Sequence, residues 1–71
     1  MHRNYAEDEG AVVGECVAIH ETEKALHVRL YDDEMAWVPK SQIHDDSEVW
    51  SNGQKGTLIV TEWYAKQKGW P

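Results

Sequence analysis

The sequence has no phenylalanine, a single cysteine and only two prolines, and its 7 Lys+Arg are outnumbered by 13 Asp+Glu. Each shortage excludes something. One thiol, Cys16, cannot close an internal disulfide, which rules out a disulfide-stapled secreted mini-protein and fits a reducing cytoplasm. A net charge of −6 argues against a general duplex-DNA binder, whose affinity comes largely from cations set against phosphates. No apolar run approaches the roughly 18 residues of a membrane span, and the opening residues MHRNYAEDEG lack an apolar signal region. The expectation is therefore a cytoplasmic protein without a membrane partner. The 71 residues allow one domain and no separate cofactor domain. A chain of this size buries about 60% of its unfolded surface, and its core rarely supplies more than roughly 3–5 kcal/mol.

Along the chain, residues 1–10 carry Glu7, Asp8 and Glu9 without apolar periodicity, and read as a flexible acidic arm ending at Gly10. Residues 11–71 read as the single folded domain. Ala11 to Ile19 is apolar at nearly every position, as in a strand covered on both sides or bent at Gly14. Leu26, Val28 and Leu30 alternate with His27, Arg29 and Tyr31, which gives a strand with aliphatics inward and polar-capable groups outward. An acidic turn, Asp32-Asp33-Glu34, leads to a third strand, Met35 to Val38, stopped by Pro39. Lys40 to Ile43 predicts a short helical turn that drops Ile43 onto the core. Glu48-Val49-Trp50 predicts a fourth strand, Ser51-Asn52-Gly53 a turn, and Gly56 to Val60 a fifth strand. Thr61 is a good N-cap, Glu62 sits where the helix dipole favours an acid, and Gly69 suits the C-terminal cap of a helix ending near Lys68. The fold expected is mainly β: a small five-stranded barrel of the SH3-like or OB-like kind, closed by a short C-terminal helix. An open meander with the helix across one face is the alternative.

Motifs for chemistry are sparse. His2, His20, His27, His44 and Cys16 show no spacing of the C-x-x-C or H-x3-H kind, so no metal site is expected. Cys16 lies in an apolar strand with no flanking cation, which predicts an inert, protonated thiol. No nucleophile–base pair and no phosphate-cradling G-x-x-x-x-G-K-[ST] loop is present, so neither an enzyme nor a bound cofactor is expected. The acids of Asp32-Asp33-Glu34 and Asp45-Asp46 match no cation-binding loop and are expected to face water or a partner.

The aromatic set says more. Four Trp and three Tyr without any Phe favour ring types that carry a polar atom, which a purely internal role does not need. Trp37 and Trp63 are expected to serve the core, whereas Trp50 and Trp70 are expected to be more exposed, as candidates for a homo-oligomer interface. Trp37-Val38-Pro39-Lys40-Ser41-Gln42 places an indole, a rigid turn, an ammonium and two hydrogen-bonding side chains within six residues. That set can stack on a planar base and contact a phosphate, or it can simply end a strand and cap the next turn.

The segment Lys24 to Arg29, through Trp37-Val38-Pro39-Lys40-Ser41-Gln42-Ile43, followed by Val60-Thr61-Glu62-Trp63 and Ala65, resembles a family of short bacterial and phage proteins. These share a W-(I/V)-P-K-S-Q core and a C-terminal (V/I)-x-E-W-(I/L/Y)-A-x-x-K-G helix. The resemblance spans roughly residues 11–70 and leaves out the acidic arm. It implies a phage or prophage origin and a small β-rich domain, and it brings no catalytic residue with it.

Two binding functions follow as expectations. One is a nucleotide or single-stranded nucleic acid stacked on Trp37 or Tyr31, with Arg29 and Lys40 near phosphate and Ser41 and Gln42 at hand. The other is a basic host or defence protein docked on Asp32, Asp33, Glu34, Asp45 and Asp46. It draws on the uneven charge of the chain, since residues 1–53 hold 12 acids against 4 bases, a net of −8.

Overall fold

The computed structural model describes residues 10–70, so the expected acidic arm lies, apart from Gly10, outside the described residues. Four strands form one antiparallel sheet: β1 (Ala11–Glu21), β2 (Ala25–Leu30), β3 (Met35–Pro39) and β4 (Lys55–Val60). Their order in space is β3-β2-β1-β4. A 3-10 turn (Lys40–Gln42) follows β3, and a helix, α1 (Glu62–Lys68), follows β4.

The near-continuous apolar pattern of β1 does not mark a strand covered on both faces, since Val12 is 59% and Ile19 36% exposed; it marks a bent central strand. As a central strand it pairs with β4 along Ala11 to Val17 and with β2 along Cys16 to Glu21. Two irregularities bend it, one between Val12 and Gly14 and one between Ala18 and His20. Gly14 has φ +132°, a conformation that favours glycine and puts the bend where the sequence places it. The second bulge lies just before His20, which pairs opposite His27.

Alternation then builds the core. Leu26 and Val28 of β2, Val38 of β3, and Leu58 and Val60 of β4 point inward and are fully buried. Ile43, Val49 and Ala65 close over them. The helix is fixed at both ends as its sequence implies. The Thr61 hydroxyl accepts the Tyr64 backbone N–H at 3.2 Å, and Gly69 at φ +76° returns its own N–H to the end of the helix. Gln42 anchors this cap: its side-chain oxygen takes the Thr61 hydroxyl at 2.6 Å, and its carbonyl takes the Thr61 N–H at 2.9 Å.

The expected fourth strand, Glu48-Val49-Trp50, is not formed, the expected fifth is β4, and the sheet does not close. Glu48-Val49-Trp50 is irregular chain, and the stretch before it meets the free side of β4 only through separate bonds. These are Ile43 opposite Val60, His44 N–H to the Ile59 carbonyl at 2.8 Å, and Glu48 N–H to the Thr57 carbonyl at 2.9 Å. A turn at Asp45-Asp46 interrupts this pairing. The buried hydroxyl of Ser47 fills the gap by accepting the N–H groups of Val49 (3.3 Å) and Ile59 (3.2 Å). One side chain thus takes the place of ladder bonds, and the observed arrangement is the open sheet with its helix on the core side.

Candidate functional site

The outer face of the sheet carries the residues with chemistry, and the register explains how they meet. Lys40 N–H bonds to the Lys24 carbonyl at 2.8 Å and Leu30 N–H to the Glu34 carbonyl at 2.7 Å. Counting inward from both ends makes Leu26–Val38 and Val28–Ala36 the hydrogen-bonded pairs of β2 and β3, and leaves His27–Trp37 as a non-hydrogen-bonded pair. In such pairs the side chains approach most closely, and here the two rings stack at 4.3 Å between centroids with 6° between planes. The bulge at Ala18/His20 turns His20 onto the same face, where its ring meets Trp37 edge-on at 5.9 Å. Trp37 remains 44% exposed, and it lies on β3, the last strand on that side of the sheet among the described residues.

A second row runs parallel to the rings. Val17 is opposite Arg29 on one side and Lys55 on the other, and Arg29 is opposite Met35. Arg29 is therefore the diagonal neighbour of Trp37, about 7–8 Å away and within reach of a long side chain. Arg29 and Lys55 form no ion pair among the described residues. Both line a shallow groove of about 220 Å³ with Tyr31, Val17, Glu15 and Asp33. Tyr31, at the rim, is 83% exposed.

The W-V-P-K-S-Q segment divides between two tasks. Trp37 faces outward, but Lys40 is ion-paired with Glu21, whose other carboxylate oxygen accepts the Asn52 N–H at 2.9 Å. The Asn52 bond and the Lys40 ammonium together hold the Glu21 carboxyl below its ordinary value. Gln42 is committed to Thr61. Ser41 is exposed, on the 3-10 turn. Of the six expected ligand-binding residues, Trp37 and Arg29 share the ring-and-cation face, and Tyr31 borders its groove. Lys40 and Gln42 tie strands and helix together.

Among the acids, Asp32, Asp33 and Glu34 occupy the β2–β3 turn, and Asp45 and Asp46 the turn after Ile43. All five are exposed, in two separate connections. The tryptophans are distributed differently from expectation. Trp63 is 62% exposed, the most of the four, because α1 turns Ala65 and Tyr64 toward the sheet. Trp70 packs partly buried against the core, edge-on to Tyr64 at 6.0 Å. Trp50 is 38% exposed with its indole N–H bonded to the Ser47 carbonyl at 2.9 Å, so of the two expected interface residues it is the more exposed, and its ring is still partly covered. The Tyr64 hydroxyl, raised above its ordinary pKa by burial and hence protonated, donates to the Trp37 carbonyl at 3.1 Å.

Sequence reasoning passed over His20, His27 and Lys55 as site residues. The outward position of His27 was readable from alternation, but the register with Trp37 and the bulge that recruits His20 were not. No group of three or more His, Cys, Asp or Glu side chains placed to hold a metal occurs among the described residues, and none of their helices is long and apolar enough to cross a membrane. No family model matches the chain, and comparison with curated proteins and with solved structures gives no match.

Proposed function

We propose that the chain is a non-enzymatic accessory binding module of phage or prophage origin that stacks a base of a nucleotide or single-stranded nucleic acid on Trp37. The observation that carries this reading is the His27–Trp37 stack on the outer face of the sheet, at its β3 side, with Arg29 as its diagonal neighbour. A part-exposed indole takes any base without hydrogen-bond readout, and a guanidinium that forms no ion pair among the described residues, about 7–8 Å away, suits the phosphate attached to it. His27 backs the indole and holds its rotamer, so little side-chain freedom remains to be lost on binding. Excess acid elsewhere keeps the overall electrostatic attraction weak, which favours short, local contacts over wrapping of a long duplex. The lone buried thiol accords with a reducing, cytoplasmic setting.

The test is calorimetric titration with mononucleotides and short single strands at low salt, on wild type and Trp37→Ala. Loss of one stacking contact predicts about 5- to 150-fold weaker binding. Equal affinity in the two proteins refutes the reading.

A protein-binding reading rests on a separate observation: Asp32, Asp33, Glu34, Asp45 and Asp46 are all exposed, and none pairs with a Lys or Arg among the described residues. Such unneutralised turns suit a basic partner protein. Under that reading Asp32→Lys with Asp33→Lys abolishes partner capture; unchanged capture excludes it.

A further inference from the structure

The groove beside the ring set extends the stacking site in one direction. Lys55 is two strand spacings from Arg29 across Val17, about 10 Å, and both cations border the groove whose rim carries Tyr31. Trp37 and Tyr31 are thus two exposed aromatic side chains, on either side of a pair of cations that no acid of the described residues neutralises by contact. Glu15 and Asp33 also border the groove and offset part of the positive field, so binding there needs phosphates placed at the two cations. A mononucleotide reaches the Trp37 end alone. A chain of several nucleotides can place one base on Trp37, its phosphates at Arg29 and Lys55, and a later base on Tyr31.

We infer that the ligand is a single-stranded oligonucleotide of at least three or four nucleotides, running across the sheet from Trp37 through the Arg29–Lys55 groove to Tyr31. This rests on the stacking function proposed above and goes further in choosing an oligonucleotide over a free nucleotide.

Calorimetry with thymidine monophosphate, a thymidine tetranucleotide and a uridine tetranucleotide tests it. A second stacked base predicts that both tetranucleotides bind about tenfold or more tightly than the monophosphate. Two neutralised phosphates predict a log–log salt slope of about −1.4 for the tetranucleotides. In Lys55→Gln and in Tyr31→Ala, each a change at an exposed side chain, the ratio of tetranucleotide to monophosphate affinity falls toward one. Equal wild-type affinity for all three ligands, with binding lost in Trp37→Ala, overturns the oligonucleotide inference and leaves the stacking site standing. A length advantage that survives both variants also overturns it. Binding of none of the three overturns both proposals.

Discussion

Replacing Ser47 with alanine removes one oxygen from the core, and the structure fixes what that costs. The hydroxyl accepts the backbone N–H groups of Val49 at 3.3 Å and Ile59 at 3.2 Å, and lies 3.3 Å from the Val49 carbonyl and 3.4 Å from that of Thr57. Val49 is fully buried and Ser47 is 7% exposed, so water does not readily replace the lost oxygen. Each orphaned donor costs about 1–3 kcal/mol, and these rather long bonds put both at the lower end, for a total of about 2 kcal/mol. That is a large part of the roughly 3–5 kcal/mol available to a domain of this size. It lowers the folded-to-unfolded ratio about 30-fold and the melting temperature by about 8–16 °C. Urea unfolding followed by tryptophan fluorescence and circular dichroism measures the change, with Ser41→Ala, on the exposed 3-10 turn, as the control near zero. A Ser47→Ala effect below about 0.5 kcal/mol would refute the claim that this hydroxyl replaces ladder bonds.

Three further outcomes are expected. Thr61→Ala removes both the cap on Tyr64 N–H and the bond to Gln42, and should destabilise by about 1–2 kcal/mol in the same urea assay; a neutral result would mean that α1 is held by packing alone. Because the folded-state pKa of Glu21 is depressed below the ordinary 4.5, the stability it contributes is present above that value and lost as pH falls through the lower folded one. Stability curves of wild type and Glu21→Gln should therefore converge as pH drops below about 4.5, and parallel curves would contradict the Glu21–Lys40–Asn52 link. Burial pushes the Cys16 thiol up to about 11, so a thiol reagent at neutral pH should label native protein far more slowly than urea-unfolded protein; equal rates would place Cys16 outside the core.

How much of this was legible beforehand depended on the range of the interaction. Alternation at Leu26, Val28 and Leu30 is a local signal, and so are the Thr61 and Gly69 caps and the bend at Gly14; all appear where the pattern places them. Glu48-Val49-Trp50 misled because its strand-like composition carries no information on pairing. Whether it joins β4 depended on Ser47, a residue that reads as an ordinary loop serine. The tryptophans misled for a related reason: the choice between Trp63 and Trp70 follows from which helix face carries Ala65, a property of docking rather than of any ring. The ring set itself needed a register and a bulge, neither of which has a reliable single-sequence signature. Trp37 and Arg29 were identified individually; that they are diagonal neighbours became known only with the pairing.

The contact between the Tyr64 hydroxyl and the Trp37 carbonyl has a consequence for the fate of the molecule at high concentration. In the β2–β3 register, the backbone groups of Met35, Trp37 and Pro39 point away from the sheet, along an edge that a second polypeptide could otherwise copy. Pro39 has no N–H to offer, and Tyr64 occupies the Trp37 acceptor, so the template is broken at two successive outward positions. The C-terminal helix is therefore a guard against self-templating as well as a lid on the core. A proteolytic cut that released it would free the Trp37 carbonyl and leave Pro39 as the interruption of this edge.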